Sequence, residues 1–437
     1  MSGLITTFGK QFRDWSADYA LYAKDRVDAA VIFDQVRRHI DALAAQSACP
    51  TLCVALDDTI LRKTGRTIPG TAYRKDPLGP PFNINLAWAQ RRLQLSAAVA
   101  AADGQARMIP IAFQDASTPR KPRKGTPPEA TERYREQMRQ RNLNAVAVQT
   151  LRRLQDQRTE DNHGVTPELH VVVDGSYTNR NVLRKLPAGA TLIGRIRKDA
   201  KLAEKPAGQP ERGRRRFYGK DLPTPEQIRQ DPAIPWLEVP AFAAGKTRLF
   251  KVKTLAPVRW RAAGQMDLRL IVIRPVGYHL RQGQRTLYTQ PAYLICTDPG
   301  LPLQEVLQRY VWRWDIEVNH RDEKTILGVG QAQVRNENSV VAIPATAVAA
   351  FAMLHLAAVK AYGQAGRPAC IPEPKWRKPG KKKRPSTQDL VNELRRELWA
   401  EAIRPEVLAD FMNHANGTTK SLKFAPSLCS SLFAATA

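Results

Sequence analysis

Residues 168–179 read ELHVVVDGSYTN. The run is apolar and β-branched, and it stops at an aspartate followed by glycine. Short continuous apolar runs of this kind form strands covered on both faces, as in parallel sheets. Asp174 is therefore expected at the C-terminal end of a buried strand. Residues 51–59, TLCVALDDT, repeat the pattern, with an apolar run closing on Asp57 and Asp58. In open α/β sheets ligands meet the fold at strand C-terminal ends. The two stretches together predict an α/β fold with carboxylates gathered at one end of the sheet.

Working outward, FNINLAWAQRRLQLSAAVAA (82–101) and QARMIPIAFQ (105–114) read as strands, and STPRKPRKGTPP (117–128) as a loop. A polar, arginine-rich helix is expected over 129–158, a short helix over 179–186, and a strand in ATLIGRIRKDAKL (190–202). From 203 to 290 Pro, Gly and Arg become frequent and the apolar runs, such as TRLFKVKTLAPVRW and MDLRLIVIRPVG, are short and alternating, which predicts an antiparallel β region. AYLICTD (292–298) closes it, and helices follow over about 303–326 and 339–363. The first 47 residues look helical. PEPKWRKPGKKKRPS (372–386) carries seven Lys or Arg between Lys375 and Arg384 and has no means of burying a core. Ser386 and Asp389 then suggest a capping box for a helix to about Ala402.

The 437 residues carry a formal charge of +27, which favours a polyanionic partner. Nucleic acid fits better than an anionic membrane: the one long apolar segment, 340–359, holds Pro344, Thr346 and His355 and reads as a core helix. The opening MSGLITTFGKQFRDWSADYA lacks the basic start and apolar run of a secretory signal. The five cysteines (Cys49, Cys53, Cys296, Cys370, Cys429) are odd in number and scattered, so reduced thiols in a cytoplasmic, nucleoid-associated protein are expected. Cys49 and Cys53 have no second pair at zinc-ligand spacing and read as buried thiols.

Residues 310–324, YVWRWDIEVNHRDEK, supply a third acid. At ~100° per residue of a continuous helix, Arg313, Glu317 and Lys324 fall within ~60° of Tyr310, while Leu307, Val311, Trp314 and Val318 form the neighbouring stripe, expected to pack on the sheet. The helix then carries a glutamate flanked by cations and a phenol along the sheet's edge. Such charge spacing is also common on solvated helices. The strand-end aspartates favour a functional reading: three carboxylates together repel one another, and hard Mg²⁺ or Mn²⁺ prefers oxygen ligands. A carboxylate metal site in a basic protein suggests two-metal phosphodiester chemistry.

The spacing Tyr310-x2-Arg313-x3-Glu317-x6-Lys324 resembles the Y-R-E-K signature of a large group of bacterial insertion-sequence DDE transposases, the IS-four superfamily. LDDT resembles the group's first acidic block and VVVDGSY its second, and NVLRKLP and GRIRKDAKL are also similar to it. The resemblance spans about residues 50–365. It implies an RNase H-like α/β core interrupted by a β-rich insertion: a helical, DNA-binding region over 1–47, core over 48–202, insertion over 203–290, core again over 291–365, and a basic linker with C-terminal helices over 366–437. It further implies Asp57, Asp174 and Glu317 as catalytic metal ligands for two Mg²⁺, with Mn²⁺ able to substitute. Tyr310, Arg313 and Lys324, joined by Arg197 and Lys198, would contact DNA. A homodimer on double-stranded transposon ends and target DNA is expected.

Asp57 and Asp58 remain alternatives, because one residue's slip reverses the face of a strand; alignment of Asp57-x-Thr59 with the family's D-x-T favours Asp57. A DNA-binding protein without activity and an RNase H-like nuclease without strand transfer are the alternative functions. His170 reads as structural, His320 as off the active stripe and Trp312 as packing. Trp260 reads as a cross-strand partner, with stacking on a flipped base as the alternative.

Overall fold

The computed structural model describes residues 14–24, 26–46, 50–76, 79, 85–119, 121–208, 215–279, 285–364, 368, 371 and 384–402. Cys49, Cys370, Cys429, nearly all of the basic linker and everything beyond residue 402 lie outside the described residues.

Strands are β1 (Leu52–Arg62), β2 (Ala72–Lys75), β3 (Leu86–Ala100), β4 (Ala106–Asp115), β5 (Leu169–Val173), β6 (Ala190–Arg195), β7 (Leu202–Glu204), β8 (Leu237–Ala243), β9 (Lys246–Trp260), β10 (Leu268–Ile273), β11 (Gly277–Tyr278), β12 (Leu287–Tyr288) and β13 (Ala292–Cys296). Helices are α1 (Ser16–Ala23), α2 (Ala29–Ala45), α3 (Pro128–Arg141), α4 (Leu143–Asp161), α5 (Arg180–Leu183), α6 (Pro225–Gln230), α7 (Leu303–Trp312), α8 (Trp314–Thr325), α9 (Glu337–Tyr362) and α10 (Thr387–Ala402).

The chain forms two compact units. One comprises 33–62 and 70–321 and holds an 11-stranded mixed sheet with path β2-β3-β1-β5-β6-β13-β10-β9-β7; β4 joins β3 and β8 joins β9. β1, β3 and β4 pair antiparallel, while β1, β5 and β6 run parallel. This order, β4-β3-β1-β5-β6, is consistent with an RNase H-like core. Every residue of β5 is buried, as its unbroken apolar run requires. Strands β8–β10 of the β-rich region continue the same sheet, since β13 pairs with β6 on one side and β10 on the other.

Strand pairing fixes which side chains share a face. Ala55, Val172 and Ile193 stand opposite one another across β1, β5 and β6. They belong to one buried cluster with Cys53, Ile271, Leu294, Cys296, Val306, Leu307, Tyr310 and Ile316, so α7 and the first turn of α8 cover this face. Cys53 and Cys296 are buried free thiols. Helix α4 packs on β3 and β4. It anchors the entry to β5, where Gln155 donates to the carbonyl oxygens of Pro167 and Ala188, and Arg158 to that of Glu168.

Two expected helices are broken. The 129–158 helix is interrupted at Asn142, whose side chain accepts from the Ala145 N–H (3.0 Å) and caps α4. The 303–326 helix is interrupted at Arg313. Beyond the break the second half of the expected apolar stripe lies in solvent: Trp314 is 54 % exposed and Val318 38 %. Ile316 and Asn319 are buried instead.

The other unit comprises 1–32, 63–69 and 322–437. Its α9 is long and apolar enough to cross a membrane, but Val340, Pro344, Val348, Phe351, Ala352 and Leu356 are buried, with α1 and α10 packed against the helix. Ser386 and Asp389 bond reciprocally at the start of α10. Lys63 donates to the carbonyl oxygens of Gly330 (2.8 Å) and Ala332 (2.6 Å).

Candidate active site

The row of side chains after Ala55, Val172 and Ile193 on the same face is Asp57, Asp174 and Arg195, because alternate residues of a strand share a face. Three neighbouring parallel strands thus end in two acids and a guanidinium beneath α7 and α8.

Asp57 and Asp58 face opposite ways. Asp58 accepts a hydrogen bond from the Tyr177 hydroxyl (2.8 Å) and pairs with Arg91 Nε (3.1 Å). Among the described residues Asp57 accepts only the Asp58 N–H, in addition to a long approach of Arg313 Nη1 (4.0 Å). Burial raises the Asp57 pKa to about 6. His320 opposes that rise, Asp174 adds to it by repulsion, and Arg313 lowers it slightly.

Asp174 is set by the turn that follows it. Its Oδ1 accepts the Ser176 N–H (2.9 Å), its Oδ2 the Ser176 hydroxyl (3.1 Å), and its carbonyl the Thr178 hydroxyl (2.8 Å). Thr178 lies against Gly194 of β6, where an added Cβ would meet Thr178 Oγ1 at 2.2 Å. Glycine is required there by close approach, not by backbone angle.

Glu317 is positioned by α8, and α8 by β4. Among the described residues strand β4 has no strand neighbour opposite β3, so the Met108 N–H and C=O point outward. Asp315 accepts that N–H (3.0 Å) and Asn319 donates to that C=O (2.8 Å). Trp312, one residue before the break, donates its indole N–H to the Gly104 carbonyl (2.9 Å). These three contacts carry the α7–α8 junction along the edge strand.

Arg313, 93 % buried by its side-chain exposure of 7 %, turns back to Glu317 (Nη2–Oε1 3.1 Å) and toward Asp57. Tyr310 is buried, and burial raises its pKa against the opposing pull of Arg313 and Arg195. His320, which the helical wheel sets aside, is buried and close enough to favour the charged form of Asp57. A usable signal existed: Glu317 and His320 are three residues apart, one helical turn. Arg195 was also missed; it is exposed and makes no ion pair among the described residues.

Tyr310, Arg313, Glu317, Asp57 and Asp174 come together. Arg197 and Lys198 lie after β6 in solvent, and Arg197 pairs with Asp199 (2.8 Å). Lys324, in the last turn of α8, belongs to the other unit. His170 sits four residues before Asp174; burial, then Arg309, lowers its pKa to about 4, so it is neutral near pH 7. Trp260 stands opposite Leu202 of β7, a cross-strand position.

Among the described residues no three His, Cys, Asp or Glu side chains stand close enough to enclose a metal ion. Asp57 and Asp174 nevertheless fit a hard divalent cation. Both are oxygen donors at adjacent strand ends, and the stress on the Asp57 charge, set by burial first and by repulsion from Asp174 behind it, is what an added cation relieves. Glu317 commits one oxygen to Arg313 in this arrangement.

A family model described as DDE superfamily endonuclease matches residues 18–265, a span that includes Asp57 and Asp174 and ends before Glu317. No curated protein matches the chain. With more than half of its length covered, and two acids at the ends of adjacent parallel strands, the chain belongs to the DDE superfamily of endonucleases.

Proposed function

We propose that this chain is a DNA transposase of the Y-R-E-K type, which cuts the ends of an insertion sequence and joins the freed 3′-hydroxyls to target DNA. The observation that carries this reading is the convergence of Asp57 and Asp174 with the α8 glutamate and Arg313 beneath one pair of helices. Members of the DDE endonuclease superfamily use divalent metals, typically Mg²⁺. Asp57, Asp174 and Glu317 would hold two such ions, which supply activation of the attacking oxygen and stabilisation of the leaving one. Mn²⁺ would serve in place of Mg²⁺.

The chain's own residues bind and orient the phosphodiester. Arg313 presents a planar fork suited to a phosphate, and its buried Nε has no hydrogen-bond partner. Tyr310 and Arg195 flank the same phosphate position, and Lys324 adds a point charge further along α8. Arg197 and Lys198 extend the basic rim. The charge of +27 supports a duplex DNA substrate, and pairing two transposon ends calls for two copies of the chain.

An RNase H-like nuclease that never joins strands is the second reading, favoured by the family's description as an endonuclease. The experiment compares wild type, Asp174→Ala and Glu317→Ala on duplexes carrying the DNA on either side of the gene, with a plasmid target. Both variants are expected to lose Mg²⁺-dependent cleavage while keeping affinity for the duplex within a few-fold, because phosphate contacts dominate affinity. Cleavage by Glu317→Ala near the wild-type rate would overturn the site, and wild-type cleavage without joined product would favour the nuclease.

A further inference from the structure

We infer that Tyr177 and Asp58 form a latch that sets the spacing between Asp57 and Asp174. The inference rests on the proposed role of those two acids as metal ligands. Neither latch residue touches the reacting phosphate in this reading; both are positioning residues.

The backbone ladder between β1 and β5 ends at Leu56 opposite Val173, one residue short of both carboxylates. Beyond that rung β1 continues to Arg62 paired with β3, while the chain after β5 departs into the Asp174 turn. Strand pairing therefore stops fixing the separation of the two segments just where their acids stand.

Tyr177 restores the tie. It lies three residues beyond Asp174, is fully buried, and donates its hydroxyl to Asp58 Oδ1 at 2.8 Å. Asp58 is anchored in turn by Arg91 of β3 at 3.1 Å. The turn between Asp174 and Tyr177 is stiff, because Asp174 accepts two bonds from Ser176 and one from Thr178, and Thr178 is wedged against Gly194. A shift of Tyr177 is thus passed to Asp174 and not absorbed between them. On the other side, Asp58 is bonded in sequence to Asp57, whose Oδ1 accepts the Asp58 N–H (2.8 Å).

The chemistry explains why this spacing matters. Mg²⁺ demands near-ideal octahedral geometry at ~2.0–2.1 Å, so small errors between two carboxylates weaken binding. A hydrogen bond to a charged acceptor is also among the stronger ones in a protein. Asp58 thereby acquires a function on the face of β1 opposite Asp57.

The test titrates Mn²⁺ into the full-length protein and follows the free ion by electron paramagnetic resonance, together with melting temperature and the Mn²⁺ dependence of plasmid nicking. Asp174→Ala is expected to lose the site. Tyr177→Phe, which keeps the ring and removes the hydroxyl, and Asp58→Ala are each expected to weaken Mn²⁺ by about tenfold, the range found when groups orienting metal ligands are removed. Asp58→Asn, still able to accept from Tyr177, should recover most of that loss. The double variant Tyr177→Phe with Asp58→Ala should be no weaker than either single one, since both break one bond. Nicking at saturating Mn²⁺ should stay near wild type while the midpoint moves, a pattern that a general loss of stability does not produce. Mn²⁺ affinity in Tyr177→Phe and Asp58→Ala within twofold of wild type, with Asp174→Ala inactive in binding, would overturn the latch and leave the carboxylate reading intact. Unchanged binding in Asp174→Ala would overturn both.

Discussion

Replacing Asp57 by Asn should stabilise the metal-free protein at alkaline pH and do nothing in acid. The Asp57 carboxyl has a pKa of about 6 against its ordinary 3.8, with burial as the main cause. The folded protein therefore holds a proton at Asp57 over a pH range where the unfolded chain has lost it. Stability falls as pH rises through this window: the penalty is absent below the unfolded value of 3.8, grows between 3.8 and about 6, and is complete above it. A shift of this size corresponds to about 3 kcal/mol. The side chain is only 19 % exposed, so solvent screening removes little of this. Asn carries no charge and can still accept the Asp58 N–H. Urea unfolding of wild type and Asp57→Asn between pH 4 and 8 should give curves that lie within about 0.5 kcal/mol at the acid end and separate by up to about 3 kcal/mol in favour of Asn at pH 8. Millimolar Mg²⁺ should close most of the gap by stabilising the wild type alone, since a cation at Asp57 and Asp174 favours the charged form. Parallel curves across the pH range, or an equal Mg²⁺ effect on both proteins, would refute the assignment of Asp57 as the buried, charge-stressed acid.

Two further outcomes follow from the geometry. Asn319→Ala removes the donor to the Met108 carbonyl and should cost about 1 kcal/mol in unfolding while lowering cleavage more than DNA affinity, because α8 loses an anchor near Glu317; cleavage at the wild-type rate would show that Asp315 and Trp312 suffice. Arg195→Ala and Arg313→Ala should each flatten the salt dependence of end binding by about one phosphate, measured by fluorescence anisotropy at several salt concentrations.

The strand ends were legible in sequence because a strand covered on both faces leaves an unbroken apolar run. LHVVV and the run before Asp57 therefore announce where the sheet stops and its acids begin. The break at Arg313 was not legible. No Gly or Pro marks it, and Arg313 itself has ordinary right-handed helical angles (φ −51°, ψ −34°); Trp312 is held at Gly104 before β4, and Asp315 and Asn319 at Met108 of β4, contacts that are invisible along a helical wheel. Long-range pairing likewise holds Asp58 on the face of β1 opposite Asp57, and Tyr177 and Arg91, which hold it, lie far from Asp58 in sequence. Arg195 was passed over for Arg197 and Lys198 because the charged run gives no sign that β6 ends at Arg195, where regular alternation stops.

Among the described residues no strand pairs with the outward side of β4, and the backbone donors and acceptors of such a side are a template on which another chain can add a strand. Asp315 and Asn319 occupy the Met108 position on that row. The contacts that steer the glutamate helix therefore also guard the sheet against edge-to-edge self-association. Substitutions there carry a double liability: a population that loses its cleavage geometry is the same population that exposes an adhesive edge, so loss of activity and loss of solubility should rise together as the protein is concentrated or warmed.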